Sequence, residues 1–146
     1  MPPSTASAED HIRALIDRRV EAVRAGDARA AVSGVAPDVV SFDVVNPLQR
    51  IGAERNLERA QEWFASFEGP IGFEIRELNV AASDDVGFSH ALHRYSGTKS
   101  DGTKIGMWVR ATACYRKIDG TWALAHEHQS VPFDPQTGTA SLDLEP

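Results

Sequence analysis

The densest group of chemically active side chains lies near the end of the sequence, at residues 125–132, which read AHEHQSVP. His126 and His128 stand two residues apart, with Glu127 between them. Such a group can ligate a metal ion, transfer protons, or line a polar strand. In a strand, alternate residues share a face, so both histidines point one way and Glu127 points the other.

We interpret residues 121–133 as a strand. Trp122 and Leu124 then begin the histidine face and Ser130 ends it, so the face runs from apolar to polar. This gradient is typical of a pocket wall that runs from a closed bottom to an open mouth. Trp122 is expected in the core, and Glu127 is expected on the opposite face, toward a dimer surface.

The cross-strand neighbours of the histidines depend on the length of the preceding turn. A three-residue loop with Gly120 in the left-handed conformation places Thr112 beside His126. The same loop places Arg110 beside His128. A two-residue loop brings two alanines there instead, because a shift of one residue changes every neighbour. We favour the first register because it gathers polar residues on one face.

Asp43 is the candidate for the catalytic base and lies in a strand predicted over residues 39–45. A carboxylate in apolar surroundings has a raised pKa and can take a proton from the carbon next to a carbonyl. Arg110 or protonated His128 would stabilise the resulting enolate oxygen. The alternative role for Asp43 is to cap the turn before Pro47.

Two other interpretations of the histidine run stay open. In the first, the imidazoles bind a metal ion together with Asp43 or a histidine from residues 86–98, although no second dense cluster of ligands is present. In the second, His126 only forms a structural hydrogen bond and Arg110 only an ion pair, with Asp43 or Glu127. We favour a polar pocket wall and expect neither a metal nor another cofactor.

The residues expected to contact a substrate are mainly aromatic: Phe42, Trp63, Tyr95, Trp108 and Thr112. Trp63 and Trp108 have an alternative place in the core or in a dimer interface. His90 and His93 are three residues apart on one predicted strand, so they face opposite sides and one of them is expected to be exposed. Cys114 has no basic neighbours that would activate it, and we expect it to be inert.

Three helices are predicted in the N-terminal half of the chain. A capping box precedes the first, residues 11–26, whose apolar stripe has helical spacing and whose C-cap is Gly26. Asp27 can cap a short second helix over residues 28–33. The third is predicted over residues 52–67, where a Gly-Pro pair follows.

Four long strands are predicted after these helices, separated by turns rich in Asp and Gly that favour an antiparallel meander. With the strand at 39–45 and a short partner near 49–51, this order predicts an α+β fold. We expect one domain over residues 1–146, with a core at about 9–133 and a tail at 134–146. The predicted meander strands are residues 73–82, 86–98, 105–117 and 121–133.

Composition excludes several classes of protein. The 146 residues are 42% hydrophobic and 25% charged, which is ordinary for one globular domain. A net charge of −6 argues against binding to nucleic acid or to an anionic membrane. We expect neither a membrane span nor a secretory signal, because no apolar run is long enough for the first and the opening residues have no basic and apolar regions for the second. The single cysteine suits a reducing cytoplasm, where we expect the protein to be located.

Several stretches together resemble the SnoaL-like branch of the nuclear transport factor 2-like superfamily, which is related to ketosteroid isomerase and polyketide cyclase. The likeness spans residues 9 to 144, and the run 126–134 is its most specific part. It implies a cone-shaped barrel, made of a curved antiparallel sheet closed by three N-terminal helices, with an apolar pocket. It also implies a homodimer formed through the sheet face. The other matching stretches are residues 42–44, 52–54, 63–71, 107–112 and 119–122.

The resemblance does not fix a reaction, because this fold carries many activities. We expect cofactor-independent isomerase, cyclase or lyase chemistry on a small carbonyl-containing or cyclic molecule. Asp43 would be the base, a position similar to that of the family's carboxylate base. His128 and Arg110 would polarise the substrate oxygen, and His126 would orient these groups or relay a proton. The alternatives are a non-catalytic ligand-binding module and a protein–protein adaptor that uses the sheet face.

Overall fold

The computed structural model describes residues 6–146, which contain three helices and eight strands. The helices are α1 (Ala8–Ala25), α2 (Ala28–Ala31) and α3 (Ala53–Ala65). The strands are β1 (Val35–Phe42), β2 (Arg50–Ile51), β3 (Phe67–Ala82), β4 (Val86–Lys99), β5 (Lys104–Ile118), β6 (Thr121–Ser130), β7 (Phe133–Asp134) and β8 (Thr139–Ala140).

The first six strands form one sheet in the order β2-β1-β6-β5-β4-β3. The predicted meander of four long antiparallel strands is confirmed. The predicted α+β fold is also confirmed, but the sheet does not close into a barrel, and it is mixed because β1 pairs with β6 in parallel. In this pairing Val35 lies opposite Leu124 and Phe42 lies opposite His128. A pairing between strands so far apart in sequence leaves no mark on the local pattern that predicts each strand.

Helix α1 has the two caps that its sequence predicts, but it begins at Ala8, three residues before the predicted start, because Ser7 is its N-cap. Ser7 and Asp10 form a reciprocal capping box, with each backbone N–H donating to the other side chain at 3.1 Å. Gly26 ends the helix in the left-handed conformation, at φ 69°. The apolar stripe, which includes Ile12 and Val23, is buried, and the helix packs on the sheet mainly against β3.

Two boundaries differ from the prediction and shape the pocket. Helix α3 ends at Ala65, and Phe67 already begins β3, where it is buried in the core. The Gly-Pro pair at 69–70 therefore lies within a strand, at an irregularity in its pairing with β4, and does not end the helix. Strand β1 ends at Phe42, so residues 43–49 form a loop beside the pocket instead of the end of a strand.

A bulge in β6 decides which side chains face inward. Cys114 of β5 pairs with His126, but the next residue, Tyr115, pairs with Leu124. Ala125 is therefore an extra residue in β6, and the alternation of faces is reversed beyond it. Trp122 and Leu124 are buried, as predicted, yet His126 does not share their face.

The C-terminal residues contain a small structure that the sequence does not predict. Strands β7 and β8 form a two-stranded hairpin, in which Phe133 pairs with Ala140, where we expected an irregular tail from residue 134. None of the helices described over residues 6–146 is long and apolar enough to cross a membrane.

Candidate functional site

A pocket of about 230 Å³ lies between the inner face of the sheet and the three helices. Its walls are mostly apolar and come from every layer of the fold. Helices α1 and α3 supply Val23 and Trp63, and the sheet supplies Phe73, Met107 and Val109. An apolar chamber that carries a few polar groups is the usual form of a small-molecule site.

A group of hydrogen-bonded side chains forms the polar part of the inner sheet face. It is here called the sheet-side cluster and consists of Arg19, His93, Tyr95, Glu127 and Gln129. Arg19 of α1 donates to both carboxylate oxygens of Glu127, at 2.6 and 2.8 Å. Gln129 donates through Nε2 to Glu127 at 2.7 Å, and the Tyr95 hydroxyl donates to Gln129 Oε1 at 3.2 Å. The Nδ1 atom of His93 lies 3.3 Å from the same hydroxyl.

Burial and charge fix the protonation states of this cluster. Burial alone would raise the pKa of Glu127, but the charge and hydrogen bonds of Arg19 outweigh it and lower that pKa to about 2. Burial lowers the pKa of His93 to about 4 and raises the pKa of Tyr95. At neutral pH the cluster therefore holds an ion pair, a neutral imidazole and a protonated phenol. Glu127 is too acidic to serve as a general base.

Asp43 is the centre of a second group, here called the loop-side cluster, which consists of Asp43, Arg50 and Arg59. Asp43 Oδ2 accepts hydrogen bonds from Arg50 Nη1 at 2.9 Å and from Arg59 Nε at 3.1 Å. Its Oδ1 accepts from the N–H of Val44 at 2.6 Å. Arg50 also donates to the carbonyl of Asn46 at 2.8 Å, which ties the 43–49 loop to β2. All three members line the pocket.

Four of the nine predicted site residues line this pocket: Phe42, Asp43, Trp63 and Tyr95. Trp63 packs edge-on against Tyr95, with ring centroids 5.2 Å apart. Phe42 also contacts the two outer histidines edge-on, His126 at 4.7 Å and His128 at 5.4 Å between centroids. Phe42 is thus the contact between the pocket and the histidine run.

The predicted placement of the histidines on the pocket wall is wrong. The bulge at Ala125 turns His126 and His128 to the outer face of the sheet and brings Glu127 inside. His126 Nδ1 lies 2.6 Å from the carbonyl oxygen of Val40, which agrees with the alternative of a structural hydrogen bond. His128 is exposed.

The predicted partners of these histidines share the outer face but lie two residues from the expected register. The predicted three-residue loop is wrong, because Ile118 pairs with Thr121 across a two-residue loop, and the bulge at Ala125 adds the second residue of the shift. Thr112 pairs with His128, and Arg110 pairs with Ser130, to whose hydroxyl it donates at 3.2 Å. The alternative prediction of an ion pair between Arg110 and Asp43 is wrong as well, since Asp43 is paired with Arg50 and Arg59. None of these outer residues reaches the pocket.

Trp108 is the remaining predicted contact that lies away from the pocket. It projects from the outer face of β5, where the guanidinium of Arg76 lies 5.2 Å from its ring centroid. Of the other histidines, His90 is exposed and His93 is buried, so the prediction that they face opposite sides is confirmed. Cys114 is a free, exposed thiol on the outer face. Among residues 6–146, no three His, Cys, Asp or Glu side chains are placed to hold a metal ion.

Sequence reasoning did not assign six residues of the two clusters to the site: Arg19, Arg50, Arg59, His93, Glu127 and Gln129. A signal for Arg19 was present, because it lies three residues after Ile16 and four before Val23, within the apolar stripe of α1. A charged side chain at such a position must find a buried partner. Gln129 had no comparable signal, because its inward direction depends on the bulge in β6.

The family profile of the SnoaL-like domain matches residues 12–134 of this sequence. The chain belongs to the SnoaL-like family. No curated protein shows significant sequence similarity to it.

Solved structures of the nuclear transport factor 2-like fold agree with this assignment. A protein of unknown function from Pseudomonas putida KT2440 has 36% identity and a TM-score of 0.87, over 95% of this SnoaL-like chain and 96% of the other. A ketosteroid isomerase-like protein from Erwinia carotovora has 20% identity and a TM-score of 0.73, over 86% and 97%. A superfamily member from Salmonella enterica serovar Typhimurium has 13% identity and a TM-score of 0.75, over 91% and 96%. The last two share the fold alone.

Proposed function

We propose that this SnoaL-like protein binds a small, mostly apolar molecule that carries a carbonyl group and catalyses acid–base chemistry on it, of the isomerase, cyclase or lyase type. The observation that carries this proposal is the lining of one pocket by a carboxylate, Asp43, and by a protonated phenol, Tyr95. A base and a hydrogen-bond donor in a shared apolar chamber are the two groups that enolisation requires.

Asp43 is assigned the role of the base. Its carboxylate takes a proton from the carbon next to the carbonyl and becomes neutral, while the electron pair of the broken C–H bond forms an enolate. The same carboxyl returns a proton to the enolate at the same or another carbon. The three outer residues that we expected to assist, Arg110, His126 and His128, have no part in this assignment because they lie outside the pocket.

Tyr95 is assigned the stabilisation of the enolate oxygen. Its two hydrogen-bond contacts are long, at 3.2 Å to Gln129 and 3.3 Å to His93, whereas a typical O–H···O bond is about 2.7–2.8 Å. A ligand oxygen at the shorter distance would therefore compete successfully for the hydroxyl proton. Gln129 is held by Glu127, and its Oε1 accepts the hydroxyl proton until a ligand oxygen takes its place.

A non-catalytic ligand-binding module is the second candidate, and one observation favours it. Both oxygens of Asp43 already accept hydrogen bonds, and two guanidinium groups share Oδ2. If these contacts persist when the ligand is bound, the carboxylate holds the two arginines and takes no proton.

Deuterium exchange into 2-tetralone, a bicyclic ketone with exchangeable protons beside its carbonyl, tests the proposal. We expect the protein to accelerate exchange in deuterium oxide, as followed by mass spectrometry. Tyr95→Phe should slow that exchange by about 10- to 100-fold, because it removes the donor to the enolate oxygen. The matched control is Tyr115→Phe, since Tyr115 is also buried but bonds Ser89 at 2.9 Å outside this pocket.

The outcomes separate the two candidates. Saturable binding of 2-tetralone with no acceleration of exchange would support the binding module and overturn the acid–base assignment. Equal rates in wild type and Tyr95→Phe would remove Tyr95 from the mechanism.

A homodimer formed through the outer sheet face remains part of the proposal. That face carries Trp108, Arg110 and His128, residues that the pocket does not use. Sedimentation equilibrium should give twice the chain mass of 15.9 kDa, and a monomer at micromolar concentration would contradict the dimer.

A further inference from the structure

The net charge of the pocket lining is opposite in sign to the net charge of the whole chain. Five charged side chains line the pocket: Arg19, Asp43, Arg50, Arg59 and Glu127. Three arginines and two carboxylates leave one positive charge in excess, in a chain whose net charge is −6. Because Arg19 and Glu127 neutralise each other, the excess belongs to the loop-side cluster.

Arg59 carries the unused hydrogen-bonding capacity of that cluster. Its Nε donates to Asp43 at 3.1 Å, and within residues 6–146 neither of its terminal nitrogens has a hydrogen-bond partner. Arg50 is more fully used, because its two terminal nitrogens donate to Asp43 and to the carbonyl of Asn46. Arg59 therefore presents a charged group with free donors beside an apolar chamber.

We infer that the ligand of this pocket is an organic anion, with a carboxylate or similar acid group held by Arg59 and an apolar body that extends into the chamber. This inference rests on the proposed function, because it takes the pocket to be the ligand site. A guanidinium binds a carboxylate well because its terminal N–H groups form parallel, charge-assisted hydrogen bonds. The negative charge of Asp43 does not prevent this, because two guanidinium groups already offset it.

A matched pair of ligands tests the inference. 2-Naphthoate and 2-acetonaphthalene share the bicyclic body, but only the first is charged at neutral pH. Calorimetric titration of the wild-type protein should show that 2-naphthoate binds about tenfold more tightly or better, as charge-assisted hydrogen bonds predict. This comparison needs no variant and so does not depend on whether a variant folds.

Arg59→Gln should remove the preference. It removes the charge and the free donors, so the affinity for 2-naphthoate should fall about tenfold or more, while that for 2-acetonaphthalene changes by less than about twofold. Arg55→Gln is the matched control, because Arg55 lies one turn earlier on α3 and is exposed, and its one ion-pair partner within residues 6–146 is Glu58 at 3.2 Å. It should leave both affinities unchanged.

The results distinguish failure of the inference from failure of the proposed function. Equal affinities of the two ligands for the wild type, or an equal loss of both in Arg59→Gln, would overturn the anion site and leave the pocket as a site for neutral molecules. No saturable binding of either ligand would overturn the proposed ligand site, and the anion site with it.

Discussion

Asp43→Asn is expected to slow the deuterium exchange of 2-tetralone by about a hundred- to ten-thousand-fold, the usual contribution of a general base. The amide is not basic enough to take the proton from the carbon next to the carbonyl group. It nevertheless keeps the size of the side chain and one oxygen that can accept from Arg50 and Arg59, so both arginines should stay in place, while the hydrogen bond from the Val44 N–H is lost. Binding of the ketone, followed by quenching of tryptophan fluorescence, should therefore change little.

The matched control for this substitution is Asp38→Asn. Asp38 also belongs to the β1 region, but it is exposed and pairs with Arg116 at 2.6 Å outside the pocket. Its substitution should leave exchange unchanged. If Asp43→Asn exchanges as fast as wild type, Asp43 is not the base and only the role of anchor for the two arginines remains.

Glu127→Gln is expected to cost about 3 kcal/mol of the free energy of unfolding at pH 7, because it leaves the charge of Arg19 unpaired in the interior. Glu127 is only 8% exposed. We place the cost at the lower end of the range for broken buried pairs, since the side chain of Arg19 is 27% exposed. Urea denaturation measures the difference.

The pH dependence of this effect follows from the lowered pKa of Glu127. The unfolded carboxyl has a pKa of 4.5 and the folded one about 2, so the folded state binds its proton less tightly. The stabilisation is complete above about pH 5 and is lost as the pH falls toward 2. The difference between wild type and Glu127→Gln should therefore shrink over the same interval.

An exposed pair on α3 is the control for the buried one. Glu58→Gln breaks an ion pair with Arg55 in which both side chains are more than half exposed, and it should cost less than about 0.5 kcal/mol. A cost for Glu127→Gln as small as this would show that the Arg19–Glu127 pair does not hold α1 to the sheet.

Local patterns were sufficient to predict most of the secondary structure. The capping box at Ser7 and the left-handed Gly26 set the bounds of α1. Both caps can be predicted, because their hydrogen bonds join residues that are close together in the sequence. The four long strands followed from apolar alternation and from turn residues such as Gly120, at φ 83°. The parallel pairing of β1 with β6 could not be predicted in this way, since it depends on packing between distant segments.

The site was predicted less well than the fold, for two reasons of strand register. The loop between β5 and β6 has two residues instead of the predicted three, because Ile118 pairs with Thr121, and β6 contains a bulge. A single extra residue at Ala125 reverses the faces of β6, and nothing in the run AHEHQSVP marks that position as a bulge. The prediction therefore placed the histidines inside and Glu127 outside, the opposite of the observed arrangement. Asp43 and Tyr95 were not affected, because neither lies on the bulged strand.

A crystal structure of the protein with bound 2-tetralone would show whether Asp43 and Tyr95 both contact the ketone. We predict that the ketone lies in the pocket, with its oxygen within about 3 Å of the Tyr95 hydroxyl and the adjacent carbon about 3–3.5 Å from a carboxylate oxygen of Asp43. A ketone bound in the reverse orientation, with its oxygen against the arginines of the loop-side cluster, would contradict these roles. So would a ketone bound on the outer sheet face beside His128.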